Sequence, residues 1–297
     1  MDSALTAVAL PLALAVVMFG LGLSLTTGDF TRIARQPKAV VIALALQLLV
    51  LPVICFGLVL LFDLPPLLAV GMLLLAASPG GTTANLFSHL YRGDVALNIS
   101  LTALNSVIAV VTLPVVTNLA IGWFEPPGAG SLGLQFGKTL QVFAIVLVPV
   151  ALGMLVRRSA PGFADRSDKP VRILSAVVLA LVIVGTMVAE RENVGGYLRD
   201  VGLPALAFCL ASLAVGYTVP RLLGIGQRQA IASSFEIGIH NSTLAIAVAI
   251  SVLDSVELAV PAAVYGVLMF PVAASFGWLI TRNRTVAAER DEAVPAG

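Results

Sequence analysis

Long apolar segments recur along this sequence and constrain its fold more than any other feature. Nine of them can be counted, each bounded by charged residues or by clusters of proline and glycine. A helix needs about 20 apolar residues to cross the roughly 30 Å hydrocarbon core of a bilayer, and each segment is about that long. The segments are residues 5–27, 38–61, 66–90, 94–122, 136–156, 171–189, 202–220, 225–252 and 259–281. The pattern predicts an all-α polytopic membrane protein with nine transmembrane helices.

Composition agrees with this prediction. Of the 297 residues, 59% are hydrophobic and 11% are charged, whereas about a quarter of the residues of a soluble protein are charged. The net charge of +1 gives no reason to expect a nucleic-acid partner. Cys55 and Cys209 lie inside apolar segments without metal-binding spacing, so we expect small buried side chains and no cofactor. No basic residue precedes segment 5–27, and it is longer than the core of a signal peptide, so we expect it to remain as a span.

The basic residues predict how the chain is oriented. Nine spans place fourteen of the seventeen lysines and arginines in loops on one side of the membrane, and leave only Lys138, Arg191 and Arg199 on the other. Cytoplasmic loops carry such an excess. We therefore expect a multi-pass protein of the plasma (inner) membrane, with the N-terminus outside and the C-terminus in the cytoplasm.

One carboxylate stands in the middle of an apolar segment. Glu236 is the only acid between Arg228 and Asp254, so a helix over 225–252 holds it near the centre of the bilayer. A charge there costs at least about 2.5 kcal/mol on insertion scales, which marks Glu236 as a functional site with a partner.

Two segments are predicted to break near their middle. Segment 225–252 has 28 residues, more than one crossing needs, and contains glycine beside polar groups at 236–241. Segment 66–90 contains Ser78-Pro79-Gly80-Gly81-Thr82-Thr83, which does not sustain a regular helix. The two segments are five spans apart, an odd number, so they are oppositely oriented. We predict an inverted repeat of spans 1–4 and 6–9, with the two broken helices crossing at the repeat interface.

Further polar residues lie inside other spans. Gln47 lies midway along the second, and Asn98 and Thr102 lie four residues apart on one face of the fourth. Taken singly, each is explained by hydrogen bonding between helices. Together with Asn85 and Glu236 they form a set of oxygen ligands suited to a hard cation.

His240 is open to three interpretations. It is a spacer or hydrogen-bonding residue, part of an altered cation site, or a proton-linked group, because imidazole titrates near pH 6.5 and its nitrogen is a poor ligand for sodium.

The motifs at the two predicted breaks resemble those of the bile acid:sodium symporter family. They are Pro79-Gly80-Gly81-Thr82-x-x-Asn85, the following Arg92-Gly93-Asp94-Val95-Ala96-Leu97, and Glu236-x-Gly238-x-x-Asn241. The likeness extends over essentially the whole chain. It implies a core domain of residues 38–122 and 202–282, a panel domain of residues 5–27 and 136–189, and a cytoplasmic tail of residues 283–297. The substrate is expected between core and panel.

The resemblance also implies two sodium sites. The first has ligands at Ala84, Asn85, Asn98, Thr102 and Glu236, and the second at Gln47, Glu236, Ile237, Ile239 and His240. Ile237 and Ile239 offer only backbone carbonyls. Ala84 stands where the family often has serine, and His240 stands where it has glutamine.

An anionic substrate is expected at the start of the second half of each broken helix, where amides and the helix dipole favour negative charge. The residues there are Gly81, Thr82, Thr83 and Asn241.

The expected function is sodium-coupled symport of an organic anion, a bile acid or a smaller carboxylate, by alternating access. Sodium is then a co-substrate, the lipid bilayer is the surrounding medium and a monomer is expected. The alternatives are a proton-coupled transporter or efflux permease, and a passive channel. An intramembrane enzyme is not expected, because such an enzyme needs a catalytic arrangement of paired aspartates, Ser/His or HExxH within the bilayer, and the spans show none of these arrangements.

Overall fold

The computed structural model describes residues 36–128, 136–167 and 194–292, with a few isolated positions within 15–28 and 170–177. Helices account for nearly all of the described chain. In order they are α1 (Pro37–Ala45), a π-helical turn (Leu46–Val50), α2 (Leu51–Leu61), α3 (Pro66–Ala77), α4 (Thr82–Leu90), α5 (Val95–Phe124), α6 (Phe136–Ser159), α7 (Val194–Leu222), α8 (Gln227–Gly238), α9 (Ser242–Ser251), a 3₁₀ turn (Glu257–Ala259) and α10 (Val260–Glu292). The predicted all-α class is confirmed.

Several of these helices suit a membrane. Four are long and apolar enough to cross one: Pro37–Leu61, Val95–Phe124, Arg199–Leu222 and Glu257–Arg282. Two shorter apolar helices, α3 and α9, are halves of the interrupted spans. These helices support the prediction of a multi-pass membrane protein. The first and sixth predicted spans lie almost wholly outside the described residues, so the count of nine and the inverted repeat remain predictions.

Two helices are interrupted where the sequence predicts it. Ala77 ends α3 and Thr82 begins α4, and Ser78 between them is extended, with ψ 142°. Gly238 ends α8 and Ser242 begins α9. Pro79 has no N–H to continue the first helix, and the glycines add no helix-stabilising side chain.

Short polar side chains and prolines fix several helix starts. Pro66 follows Pro65 at the start of α3, where a missing N–H costs nothing. The Asp94 side chain accepts a hydrogen bond from the Leu97 N–H at 3.0 Å, and Asn241 accepts one from Leu244 at 3.0 Å. Both side chains are N-caps, and α5 and α9 begin at the residues that directly follow them.

The second span contains a π-helical turn at Leu46–Val50. Pro52 follows it and lacks the N–H that would bond to the carbonyl four residues earlier, so the helix widens locally. Gln47 lies in this turn and is buried.

Apolar side chains cover the outer surface as well as the core. Tyr265, Phe208 and Phe235 are among the largest fully buried side chains, and α8 packs against α7, α4 and α5 around them. Large apolar side chains also point outward, including Leu49, Val53, Leu119, Trp123, Val267 and Trp278. An apolar exterior of this extent suits contact with lipid.

Candidate cation and anion site at the helix crossing

The two helix interruptions meet and are joined by backbone hydrogen bonds. The Asn241 N–H donates to the Pro79 carbonyl at 2.8 Å, and the Gly81 N–H donates to the Ile239 carbonyl at 3.1 Å. Gly80 and His240 form an isolated antiparallel bridge between the two. The two predicted breaks are therefore in direct contact, and each supplies one donor and one acceptor to the other.

Glu236 lies beside this crossing and is buried, with 1% of its surface exposed. Its Oε2 accepts hydrogen bonds from Asn98 Nδ2 at 3.0 Å and from Thr102 Oγ1 at 2.5 Å. Its Oε1 accepts one from Asn105 Nδ2 at 3.1 Å. These three donors come from α5. No lysine, arginine or histidine forms an ion pair with Glu236 among the residues that the structure describes.

Gly80 is in close contact with the carboxylate. A Cβ built on Gly80 would lie 2.5 Å from Glu236 Oε1 and equally near the Glu236 carbonyl oxygen. Real Cβ atoms do not approach other atoms so closely, so only glycine at position 80 lets the first break reach Glu236.

Gln47 and His240 both bind the carbonyl end of α3. Gln47 Nε2 donates to the carbonyls of Ala76 (3.3 Å) and Ser78 (3.1 Å), and His240 Nδ1 donates to the Ser78 carbonyl at 3.2 Å. A carbonyl only accepts, so His240 carries a proton on Nδ1. The imidazole packs between the rings of Phe208 and Tyr265, at centroid distances of 5.3 and 5.4 Å. These contacts match the hydrogen-bonding interpretation of His240.

Several buried oxygens around the crossing have no hydrogen-bond partner within the described part of the chain. They include Gln47 Oε1, the Oδ1 atoms of Asn85, Asn98 and Asn105, and Ser242 Oγ at the start of α9. A buried amide oxygen without a partner lowers the stability of the protein unless something binds it. A cation is a partner that fits oxygen acceptors beside a carboxylate.

The remaining predicted ligands contribute little through their side chains. Ala84 is fully buried in the first turn of α4, and its N–H donates to the Gly81 carbonyl. Ile237 and Ile239 are fully buried, and the Ile239 carbonyl already accepts from Gly81.

The predicted anion-binding residues lie at the starts of α4 and α9. Gly81 precedes α4, whose first turn has no capping side chain, and Thr82 and Thr83 are its first two residues. The Thr82 side chain lies outside what the structure describes, and Thr83 is half-buried. By contrast, α9 is capped by its own Asn241. The first turn of α4 therefore has no side-chain acceptor for its backbone amides, whereas in α9 the Leu244 amide is already bound by Asn241.

Sequence reasoning missed Asn105 and Tyr265. Asn105 lies three residues after Thr102 and seven after Asn98, a spacing that places all three on one helix face. That signal was available in the sequence. Tyr265 donates its hydroxyl to the Gly238 carbonyl at 2.9 Å and thereby caps α8, and no local pattern indicates this contact.

Comparison with known proteins gives a consistent family. A profile of the Sodium Bile acid symporter family matches residues 11–196, more than half of the chain. The "uncharacterized sodium-dependent transporter YocS" of Bacillus subtilis (strain 168) is 28% identical over 258 residues, which are 86% of this chain and 77% of that protein.

Plant proteins are similar to the same extent. The "probable sodium/metabolite cotransporter BASS2, chloroplastic" of Oryza sativa subsp. japonica is 29% identical, and the BASS1 protein of Arabidopsis thaliana is 31% identical. Each match covers 86% of this chain, but only 60% and 62% of the plant proteins, so the chain spans about three fifths of their length. All three relatives are named as transporters or cotransporters, which is not an enzyme class.

Proposed function

Because this chain belongs to the sodium bile acid symporter family, we propose that it is a sodium-coupled symporter of an organic anion that works by alternating access. The observation that carries this proposal is the buried Glu236 carboxylate at the crossing of two broken helices. Secondary transporters bind ions and substrates at such interrupted helices, where carbonyls and helix N-termini are available within the membrane. The organic anion is a bile acid or a smaller carboxylate.

The first sodium site is proposed at Glu236, Asn98, Thr102, Asn85 and the backbone of Ala84. The burial of Glu236 and the unpartnered oxygens of Asn85 and Asn98 support it. Sodium bound there neutralises a charge that is otherwise costly within the membrane.

The second proposed site has fewer free ligands. Gln47 and His240 each donate a hydrogen bond to the Ser78 carbonyl, and the Ile239 carbonyl accepts one from the Gly81 N–H. Gln47 Oε1, Glu236 and the Ile237 carbonyl are left as oxygen ligands. We propose that His240 acts here as a hydrogen-bonding residue that holds the broken end of α3, rather than as a ligand.

Substitution of His240 tests this role. Asparagine carries its amide nitrogen where imidazole has Nδ1, so His240→Asn keeps the bond to Ser78. Uptake by this variant, per folded protein, should remain within about threefold of wild type. His240→Leu lacks a donor, so its uptake should fall about tenfold. The reason is that one buried hydrogen bond is worth about 1 kcal/mol or more.

Sodium and pH dependence separate the other interpretations of His240. If imidazole displaces a sodium ion, His240→Gln raises the Hill coefficient for sodium. If it carries a proton, wild-type uptake changes between about pH 5.5 and 7.5 and His240→Asn flattens that profile. Either result contradicts the hydrogen-bonding role.

The anion is proposed to bind at the start of α4, where no side chain caps the first turn. Amides there, with Thr82 and Thr83, are suited to a carboxylate, and Asn241 lies across the crossing from Gly81.

A charge introduced at Asn241 tests the anion site. Aspartate is as good an N-cap as asparagine, so Asn241→Asp keeps α9 intact while adding a negative charge beside the anion. Substrate affinity should fall about tenfold or more. Asn241→Ala, which loses the cap but adds no charge, is the matched comparison. Equal substrate affinity in wild type and Asn241→Asp would place the anion elsewhere.

The wider arrangement follows the sequence predictions. We propose nine spans in an inverted repeat, a core of 38–122 and 202–282 against a panel of 5–27 and 136–189, and a cytoplasmic tail of 283–297. The N-terminus is proposed outside and the C-terminus in the cytoplasm, in the plasma membrane of a monomeric protein.

Uptake into proteoliposomes tests the function. An inward sodium gradient should drive saturable accumulation of a labelled organic anion, and its collapse with a sodium ionophore should stop it. Accumulation driven by a pH gradient alone supports proton coupling instead. Flux that does not saturate and never exceeds equilibration supports a channel.

A further inference from the structure

Among the α5 side chains that bind Glu236, Asn105 is the one that contacts Oε1. Its Nδ2 donates to Oε1 at 3.1 Å, whereas Asn98 and Thr102 both bind Oε2. The side chain is buried, with 2% exposed. The two oxygens of the carboxylate are therefore held from different turns of the same helix.

The other end of the Asn105 amide has no partner. Its Oδ1 is buried and accepts no hydrogen bond from any residue that the structure describes. Such an acceptor costs about 1–3 kcal/mol when nothing binds it. Because Oδ1 and Nδ2 share one carbon atom, the free oxygen also lies within a few ångströms of Glu236 Oε1.

Three hydroxyl side chains of α5 behave differently from Asn105. The hydroxyls of Ser100, Ser106 and Thr112 each donate to the carbonyl four residues earlier and are satisfied within the helix. Asn105 and Asn98 instead direct their amide nitrogens across to Glu236 on α8 and leave their oxygens unpaired. Asn105 thus shares the bonding pattern of Asn98, which is already among the proposed sodium ligands.

We propose that Asn105 is a further ligand of the sodium ion bound at Glu236, with Oδ1 binding the ion and Nδ2 holding Oε1 in place. This inference rests on the proposed function and adds a ligand to its first sodium site. Carboxylate and amide oxygens together suit a small hard cation. Asn105 then contributes to sodium affinity, and not only to the position of Glu236.

Two substitutions separate a ligand from a donor. Asn105→Ala removes both atoms and should weaken sodium binding by about tenfold, the effect of losing one favourable contact of about 1.4 kcal/mol. Asn105→Asp keeps an oxygen in place of Oδ1 and adds a charge, but when ionised it has no proton to donate. If Oδ1 is a ligand, Asn105→Asp should bind sodium at least as well as wild type at about pH 9, and calcium should now compete.

Direct binding of radioactive sodium to the purified, detergent-solubilised full chain is the measurement, with calcium as the competitor. Ser106→Ala is the control, because Ser106 is the next residue, is also buried, and bonds only to Thr102 of its own helix. It should bind sodium like wild type. Thermal unfolding of each variant establishes that it is folded.

The possible results distinguish this inference from the proposed function. Absence of sodium binding by wild type overturns both. Sodium binding that is lost in Glu236→Gln but unchanged in Asn105→Ala overturns the ligand role alone. Equal weakening in Asn105→Asp and Asn105→Ala at about pH 9 also overturns it, because the donated hydrogen bond then accounts for the whole effect.

Discussion

Glu236→Gln should abolish sodium-dependent uptake and sodium binding while the protein still folds. Glutamine has the same shape but no charge, so the cation loses its only buried anionic ligand among the described residues. Two unit charges at 4 Å attract by about 4 kcal/mol even at an effective dielectric constant of 20, so the loss of affinity should exceed about a hundredfold. The measurements are sodium binding to purified protein and uptake into proteoliposomes.

The contacts of Glu236 explain why glutamine does not substitute for it. Asn98, Thr102 and Asn105 all donate to the carboxylate. Glutamine replaces one of the two acceptor oxygens with an NH₂ group, which only donates. The donor that faces this group then loses its acceptor.

An exposed acid away from the crossing provides the control. Glu125 is exposed at the end of α5, so Glu125→Gln makes the same chemical change away from the crossing. It should leave both measurements at wild-type values. Sodium-dependent uptake by Glu236→Gln at the wild-type rate would reject the proposed sodium site.

The sequence predicted the helices and their breaks because both depend on local properties. Apolar length identifies a span, and Pro79-Gly80-Gly81 interrupts it through the missing N–H and the low helix propensity of glycine. Helix ends were less accurate. The apolar run at 202–220 corresponds to α7, which begins at Val194, because the preceding polar residues also adopt helical geometry.

The partners of the site residues were harder to predict than the residues themselves. Glu236 was identified because a charged side chain within the membrane is energetically unfavourable. Its bond to Asn105, however, depends on how α5 packs against α8. The same holds for the Ser78 carbonyl, which binds both Gln47 and His240. A backbone carbonyl carries no sequence signal, so a contact of this kind is found only from a structure.

Gly80 is the residue at which the two broken helices leave least space. Its ideal Cβ position lies 2.5 Å from the Glu236 carboxyl and from the Glu236 backbone oxygen, which is not free to move. Its neighbour Gly81 differs, because the nearest atom to its ideal Cβ is 3.9 Å away and its φ of −95° suits any residue. Close contact therefore requires glycine at position 80 but not at position 81.

Gly80→Ala should lower thermal stability and reduce sodium binding by more than about tenfold. The added methyl group would push Glu236 away from the first break, and overpacking of this kind costs about 1–3 kcal/mol or more. Gly81→Ala is the matched control, and sodium binding is the measurement because Gly81 belongs to the proposed anion site. Gly81→Ala should bind sodium and unfold like wild type. If Gly80→Ala also binds sodium with wild-type affinity, then the first break does not hold Glu236 in its binding position, and the close contact at the crossing is not needed for the cation site.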